Sequence, residues 1–406
     1  MINPPKKAKR VLFYLLMVLI TVLICFVILE LGLATYYSEG QSASWSEFHP
    51  MRGWALIPGE YKIKPLQRLS RFPISINNYG LRSHTLPKSS GKRKQLLVLG
   101  DSFTFAKETR TEKMFTQRLQ VLLEKRSPGI YEVLNAGVPA YGTGQQLLLM
   151  RELHEKHNIA PGLYVLMFFT NDILDNLCLS YGNLTPQSVR PGFIVTDDHQ
   201  VVLERLPENR LEEEADDTLQ RGKPRRTIKS FAVIKALMEE WLQPRPKLVR
   251  FLGRLGIKPR VARMPALLNG WYQEDVVFRG VDLTAALIRQ MNTEVRQRGG
   301  LLLVSMVPSP LQVYPETYIP LLRRSFPDNP RVSRFIEDVR RPQDLVKRIC
   351  DEAGIPFQDL LPIFIKNNRR TLFIPKDGHL NDAGHRLAAT SLYDFLDPRL
   401  TERPFP

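Results

Sequence analysis

Cysteine is scarce in this chain: three in 406 residues, at Cys25, Cys178 and Cys350. That excludes a disulfide-dense scaffold. No Cys or His cluster has metal-site spacing, so no metal and no cofactor is expected. Nothing in the sequence brings Cys178 near Cys350. Two free buried thiols are the simpler reading, with a disulfide open only in an oxidising compartment. Repeats and low-complexity tracts are missing too, which excludes solenoids, propellers and fibrous arrays. Carboxylates are missing from the N-terminal stretch, where Glu30 is the first.

That stretch holds something else. Lys6, Lys7, Lys9 and Arg10 precede an apolar run from Val11 to Leu29, about 19 residues and close to the length that spans a bilayer. By the positive-inside bias the basic flank stays cytoplasmic, and the chain beyond about Thr35 lies outside. The region is long for a signal peptide and offers no small-x-small cleavage site before Glu30, so an uncleaved anchor is expected. The expected organisation is a tail at 1–10, an anchor at 11–34, a linker and lead-in at 35–94, and a domain at 95–400. Formal net charge is +16, much of it between Arg221 and Arg263. A solvated basic surface is the plain reading of that stretch. The functional one is contact with anionic lipid headgroups or acidic glycans, and no nucleic acid is expected as a partner.

From Gln95 the pattern becomes a βα rhythm. Strands are expected at 95–99, 131–134, 163–169, 300–307 and 355–359. Helices are expected at 111–125, 143–156, 281–298, 342–353 and 382–395. Strands alternating with helices imply an α/β fold, doubly wound, with a mainly parallel five-stranded sheet. The rhythm breaks between Asp172 and Gly280. That is long for a loop, so an insertion at about 173–280 is expected, with amphipathic helices near 231–242 and 248–255.

In such a fold, ligands bind beyond the carboxyl ends of the strands. Ser102, Gly137 and Asn171 each follow an expected strand end, so they gather on one edge. Ser102 sits in Gly100-Asp101-Ser102, directly after an apolar strand. Far away, Asp377-Gly378-His379 puts an acid and an imidazole in a loop before the closing helix. A serine nucleophile needs a base, and the base needs an orienting partner. Asp377 is the candidate partner, with a backbone carbonyl as the alternative because only Gly378 separates acid from histidine. Asp101, Asn135 and Asp172 are expected to brace turns, and Asn381 or Asp382 to cap a helix. His385 is expected to be a packed or surface residue. His154 and His157 are expected at an exposed helix end without a role.

Taken together, Gly100-Asp101-Ser102, Asn135-Ala136-Gly137, Thr170-Asn171-Asp172 and Asp377-Gly378-His379 resemble the ordered blocks of the SGNH (GDSL-like) hydrolases. The lead-in Asn77-Asn78-Tyr79-Gly80-Leu81-Arg82 and the anchor resemble a bacterial membrane-tethered branch of that superfamily. Two positions depart from its pattern. Phe169 stands where a glycine is common, and one residue rather than two separates Asp377 from His379. The resemblance implies a flavodoxin-like fold and a serine esterase working through an acyl-serine. Catalytic roles fall on Ser102, His379 and Asp377. Oxyanion donors are implied at the Ser102 and Gly137 backbone N–H groups and the Asn171 amide. It further implies a single-pass protein of the bacterial inner membrane whose periplasmic domain acts on an acyl ester of a glycan or lipid. Acetyl transfer to a surface polysaccharide, or a catalytically silent binding module, are the alternatives.

Overall fold

The computed structural model describes residues 6–38, 45–61, 72–82, 93–178, 190–198, 200–206, 264–375 and 377–402. The expected helices near 231–242 and 248–255, the basic stretch from Arg221 to Arg263 and the linker around 62–71 lie outside them.

The chain divides into two units, one containing residues 1–43 and the other residues 44–214 and 263–406. The described part of the first is a single helix, α1 (Lys6–Ser38). Its window Phe13–Gly32 is 20 residues with a mean hydropathy of 2.9 and no buried share. At 1.5 Å per residue that window is about 30 Å long, the thickness of a bilayer's hydrocarbon core.

The second unit opens with two antiparallel hairpins, β1 (Ser46–His49) with β2 (Gly53–Leu56) and β3 (Gly59–Tyr61) with β4 (Ile74–Ile76). The central sheet follows. Its strands are β5 (Lys94–Gly100), β6 (Tyr131–Gly137), β7 (Leu163–Phe168), β10 (Leu301–Met306) and β11 (Phe357–Asp359). They are parallel throughout, in the order β11-β10-β7-β5-β6. This is the flavodoxin-like order, with its switch point at β5 and β7. All five strands fall where the apolar runs place them.

Both sheet faces are covered, as continuous apolar runs require. Leu97 and Leu99 of β5 and Tyr164, Leu166 and Phe168 of β7 pack into one core. Helices α4 (Thr143–His157), α7 (Glu274–Gln297) and α11 (Arg341–Glu352) contribute to that core. Leu96 and Val98, with Leu163, Val165 and Met167, point the other way. There they meet α3 (Phe115–Arg126), α12 (Leu361–Lys366) and α13 (Asp382–Glu402). Period-two alternation along each strand supplies both faces.

Three short helices complete the sheet's upper edge and its surroundings: α2 (Ser102–Phe105), α5 (Asp172–Asn176) and α6 (Ala266–Trp271). Helices α8 (Pro310–Val313), α9 (Pro315–Ser325) and α10 (Pro330–Glu337) fill the stretch after β10.

The insertion differs from expectation in its described parts. It carries a hairpin, β8 (Gly192–Val195) with β9 (Val201–Arg205). It also ends earlier than 280, because α6 and the start of α7 already belong to the core through Leu268, Trp271 and Val276. Nor is the lead-in a plain linker. Arg82 is buried and donates to the carbonyls of Phe105 and Thr109. Arg52 ion-pairs with Glu152 at 3.0 Å and donates to the Tyr141 hydroxyl at 2.9 Å. Cys178 and Cys350 are free and buried.

Candidate active site

β5 ends at Gly100, and the chain turns at once into α2. Asp101 caps that helix, its carboxylate accepting the Phe103 N–H at 2.9 Å. Ser102 is therefore the first helical residue, where a backbone N–H has no intrahelical acceptor. The turn closes at Ala106, which adopts a left-handed conformation with φ of 55°. α2 presses down on the strand ends. A Cβ added to Gly137 would lie 2.3 Å from the Phe105 nitrogen, and one added to Gly100 would lie 2.2 Å from Thr104 Oγ1. Both positions need glycine for that close approach.

His379 arrives from the opposite end of the sequence. Its loop is pinned by backbone bonds: Ile374 N–H to His379 O at 2.8 Å, and Asn381 N–H to Leu372 O at 3.0 Å. Gly378 has φ of +88°, a region that favours glycine. Asn381 then caps α13, accepting the Ala383 and Gly384 N–H groups.

The two ends meet. His379 Nε2 is 2.8 Å from Ser102 Oγ, and His379 Nδ1 is 2.6 Å from Asp377 Oδ1. The one-residue spacing works because Asp377 folds back over its own turn, also accepting the His379 N–H at 3.1 Å. No backbone carbonyl is needed. Burial lowers the imidazole's affinity for a proton, but the Asp377 hydrogen bond and the charges of Glu108, Asp377 and Asp101 outweigh it and raise the His379 pKa. Burial likewise resists ionising Asp377, yet the His379 bond and charge hold its pKa down.

A second carboxylate faces the imidazole. Glu108 Oε1 lies 3.6 Å from His379 Nδ1. Nothing in the sequence marks Glu108: it sits six residues past the serine with no spacing relation to His379. Glu108, Asp377 and His379 have donor atoms within 4.8 Å of one another. A metal shared by Nδ1 and Oδ1 would hold those two atoms about 3 Å or more apart. Their 2.6 Å separation is that of a proton-bearing pair.

The oxyanion candidates divide. Asn171 donates from Nδ2 to Asp175 at 2.7 Å, and its amide also hydrogen-bonds Asp101, so in the resting site it is held by the buried carboxylates. Gly137 does not fit the role expected of it. Its N–H is taken by Asn135 Oδ1 at 3.0 Å, inside the strand. In the following turn, Val138 N–H goes to Gly100 O and Tyr141 N–H to Val138 O, while Pro139 has none. Ala140, left-handed at φ 64°, carries the one N–H of this turn with no acceptor among the described residues.

Behind the serine lies a buried polar layer. Asp101, Asp172 and Asp175 are all buried. Burial raises the Asp101 pKa to about 6. Burial, with the charges of Asp101 and Asp175, pushes Asp172 well above the ordinary carboxylate range. Among the described residues Arg190 is ion-paired to this layer, 3.0 Å from Asp175, with both side chains 3% exposed. Arg190 also donates to Gln145 at 3.1 Å and lies over the Trp54 ring. Arg190 and Asp175 carried no sequence signal, since both lie in the stretch read as an insertion.

His385 is packed as expected, its Nδ1 accepting the Phe115 N–H at 3.3 Å. His154 is not at an exposed end without contacts. Its Nε2 is 2.8 Å from the Tyr164 hydroxyl, and burial pulls its pKa down to about 4. Phe169, the residue in place of glycine, stacks on Phe103 with ring centroids 3.8 Å apart, and Phe103 lies 4.8 Å from the His379 ring.

Residues 98–387 match the model of the GDSL-like lipase/acylhydrolase family. The chain belongs to that family. Its five-stranded parallel sheet with flanking helices is the SGNH fold. Several solved structures are similar. An acetyl xylan esterase, AlAXEase, is 12% identical over 74% of this chain and 98% of its own, with a TM-score of 0.36. The psychrotrophic esterase EstA from Pseudoalteromonas sp. is 11% identical over 76% of this chain and 100% of its own, also at 0.36. A lipase/acylhydrolase from Enterococcus faecalis is 10% identical over 75% and 96%, at 0.35. Likeness at this level carries no argument about substrate. No curated protein matches the chain.

Proposed function

We propose that this GDSL-family protein is a membrane-anchored serine esterase that cleaves an acyl ester of a cell-envelope glycan or lipid. The observation that carries the reading is the unbroken chain Ser102 Oγ, His379 Nε2, His379 Nδ1, Asp377 Oδ1, with links of 2.8 and 2.6 Å. His379 removes the Ser102 proton as Oγ attacks the ester carbonyl. The Ser102 N–H, at the start of α2, is the donor offered to the tetrahedral oxyanion, with the Asn171 amide as the second. Each such donor is worth about 10²–10³ in rate. The imidazolium then protonates the leaving alcohol as the carbon–oxygen bond breaks. Water, deprotonated by the same histidine, attacks the acyl-serine and frees the acid.

The Phe103–Phe169 ring pair beside the imidazole supports a short acyl group such as acetyl. α1 is the anchor, with the basic flank at Lys6 to Arg10 in the cytoplasm and the domain on the far side of the inner membrane. Its support is the length and apolarity of the Phe13–Gly32 window.

The test uses the full chain in detergent with aryl acetate and with acetylated cell-wall glycans. The expected result is acetate release that Ser102→Ala abolishes. Acetate appearing on an added sugar alcohol, with little released to water, would change hydrolysis to transfer. No turnover of any ester, with the fold intact, would leave a binding module.

A further inference from the structure

Glu108 is unusual among the acidic side chains near the site. It is only 10% exposed, and no side chain among the described residues donates a hydrogen bond to either carboxylate oxygen. Buried carboxylates with no side-chain hydrogen bond are costly and uncommon. The nearest cation is Lys107, whose ammonium is 3.7 Å away and 24% exposed. The other neighbour is the His379 imidazole at 3.6 Å.

Asp377, the hydrogen-bonded partner, has the opposite setting. Its side chain is 40% exposed and belongs to the same short loop as the histidine. Water screens such a carboxylate and competes for it. Glu108 comes from the other wall, on the segment that leaves α2, and this segment is tied down. Ala106 N–H bonds Ser102 O at 2.8 Å and Thr109 N–H bonds Ala106 O at 3.2 Å. Arg82 holds the Phe105 and Thr109 carbonyls on either side of Glu108. The segment that leaves the nucleophile's helix thus also brings a shielded carboxylate to the base, one whose pKa burial raises against the pull of His379 and Lys107.

We propose that Glu108 is a second carboxylate partner of His379, a positioning residue that shares with Asp377 the task of orienting the imidazole and stabilising its charged form. This rests on the esterase reading for its catalytic meaning, but not for its electrostatic content. His379 gains a positive charge when it takes the Ser102 proton, and a fixed carboxylate 3.6 Å away stabilises that form without bonding it directly. With two acids sharing the role, a half-exposed Asp377 on a one-residue spacing is sufficient.

The groups facing this imidazole are Asp377 on its own loop, Glu108 and Lys107 after α2, and Asp101 at the end of β5. Arg82 faces Glu108 from the lead-in, and His385 lies behind on α13. Removing Glu108 alone leaves Asp377 and Asp101, so the effect is a shift rather than a collapse.

The experiment is a pH titration of His379 in the full chain in detergent, read from the ¹³C shifts of labelled histidines. The chain has seven histidines, and the His379→Gln spectrum assigns the signal. Glu108→Gln keeps the volume and removes the charge. Its expected result is a fall of about 1 unit in the His379 midpoint. Glu108→Asp keeps the charge one methylene further back and is expected to restore part of that fall. Glu108→Ala, which also removes the charge, serves if the glutamine variant folds poorly. A structural role alone would change the melting temperature and leave the midpoint in place. An unchanged midpoint in a folded Glu108→Gln or Glu108→Ala protein overturns the proposal. The titration needs no turnover, so it stands apart from the esterase reading, which phosphonate labelling of wild-type Ser102 tests separately. Where labelling occurs, the acid limb of the labelling rate is expected to move to lower pH in Glu108→Gln, in step with the midpoint.

Discussion

The two halves of this site are built in opposite ways. The nucleophile side is a scaffold. Ser102 sits on a parallel strand end, under it lie Gly100 and Gly137 in close contact with α2, and behind it lies a buried layer of Asp101, Asp172, Asp175 and Arg190. The histidine side is a loop, pinned by backbone bonds around Gly378 and partly open to solvent. Position is over-determined on one side, while protonation is adjusted on the other. The difference teaches that geometry here comes from sheet packing, and that the reactivity of the base comes from the charges around the imidazole.

Substitutions can break each half separately. The largest effect is expected for Arg190→Met. It strands Asp175 in the interior, and breaking a buried pair from one side costs about 3–5 kcal/mol. The melting temperature is expected to fall sharply. Adding Asp175→Asn to that variant is expected to recover much of the loss, because the stranded charge is gone. Full stability in Arg190→Met alone would show that the scaffold does not depend on this pair. Next is Gly137→Ala, whose Cβ has no room against the Phe105 nitrogen and Thr104 carbonyl carbon. Overpacking of this kind costs about 1–3 kcal/mol, read by chemical denaturation.

On the histidine side the effects should fall on activity and leave the melting temperature in place. Asp377→Asn is expected to reduce kcat/KM about 10–100-fold, well short of the ~10⁴ typical when a lone orienting acid is lost. The His379 pKa is raised above its ordinary 6.5, and catalysis needs the neutral base. The acid limb of kcat/KM is therefore expected above pH 6.5, moving down in Asp377→Asn. Stability runs on other histidines. Burial holds His385 down to about 3 and His154 to about 4. The unfolded chain takes up protons near 6.5 while the folded chain does not. These two histidines are thus expected to withdraw stability as pH drops from about 6.5 toward 4, while the raised Asp101 and Asp172 act in the opposite direction, so His154→Gln is expected to raise stability at pH 4 relative to its value at pH 7.

Much of this was legible in the sequence, for physical reasons. Buried parallel strands read as unbroken apolar runs, so all five appear at their places. A serine after a strand, and an acid and histidine before a capped helix, are local patterns that survive without the fold. What could not be read depends on contacts between distant segments. The resemblance implied a donor at Gly137, but its N–H answers Asn135 and its missing Cβ makes room for α2. Arg190 and Asp175 lie fifteen positions apart across a break in the βα rhythm, and no periodicity links them. Glu108 meets His379 only because the chain returns to α2 after 277 residues. The lead-in looked like a linker because it is polar and turn-rich, yet Arg52 and Arg82 are buried by their partners.

The central claim is that Ser102 is activated by His379. The most direct measurement treats the full chain in detergent with a serine-directed phosphonate and locates the label by mass spectrometry. The account predicts a label on Ser102 that is lost in His379→Asn and is absent from every other serine. A folded wild-type protein that takes no label, or one labelled equally well without His379, would contradict it.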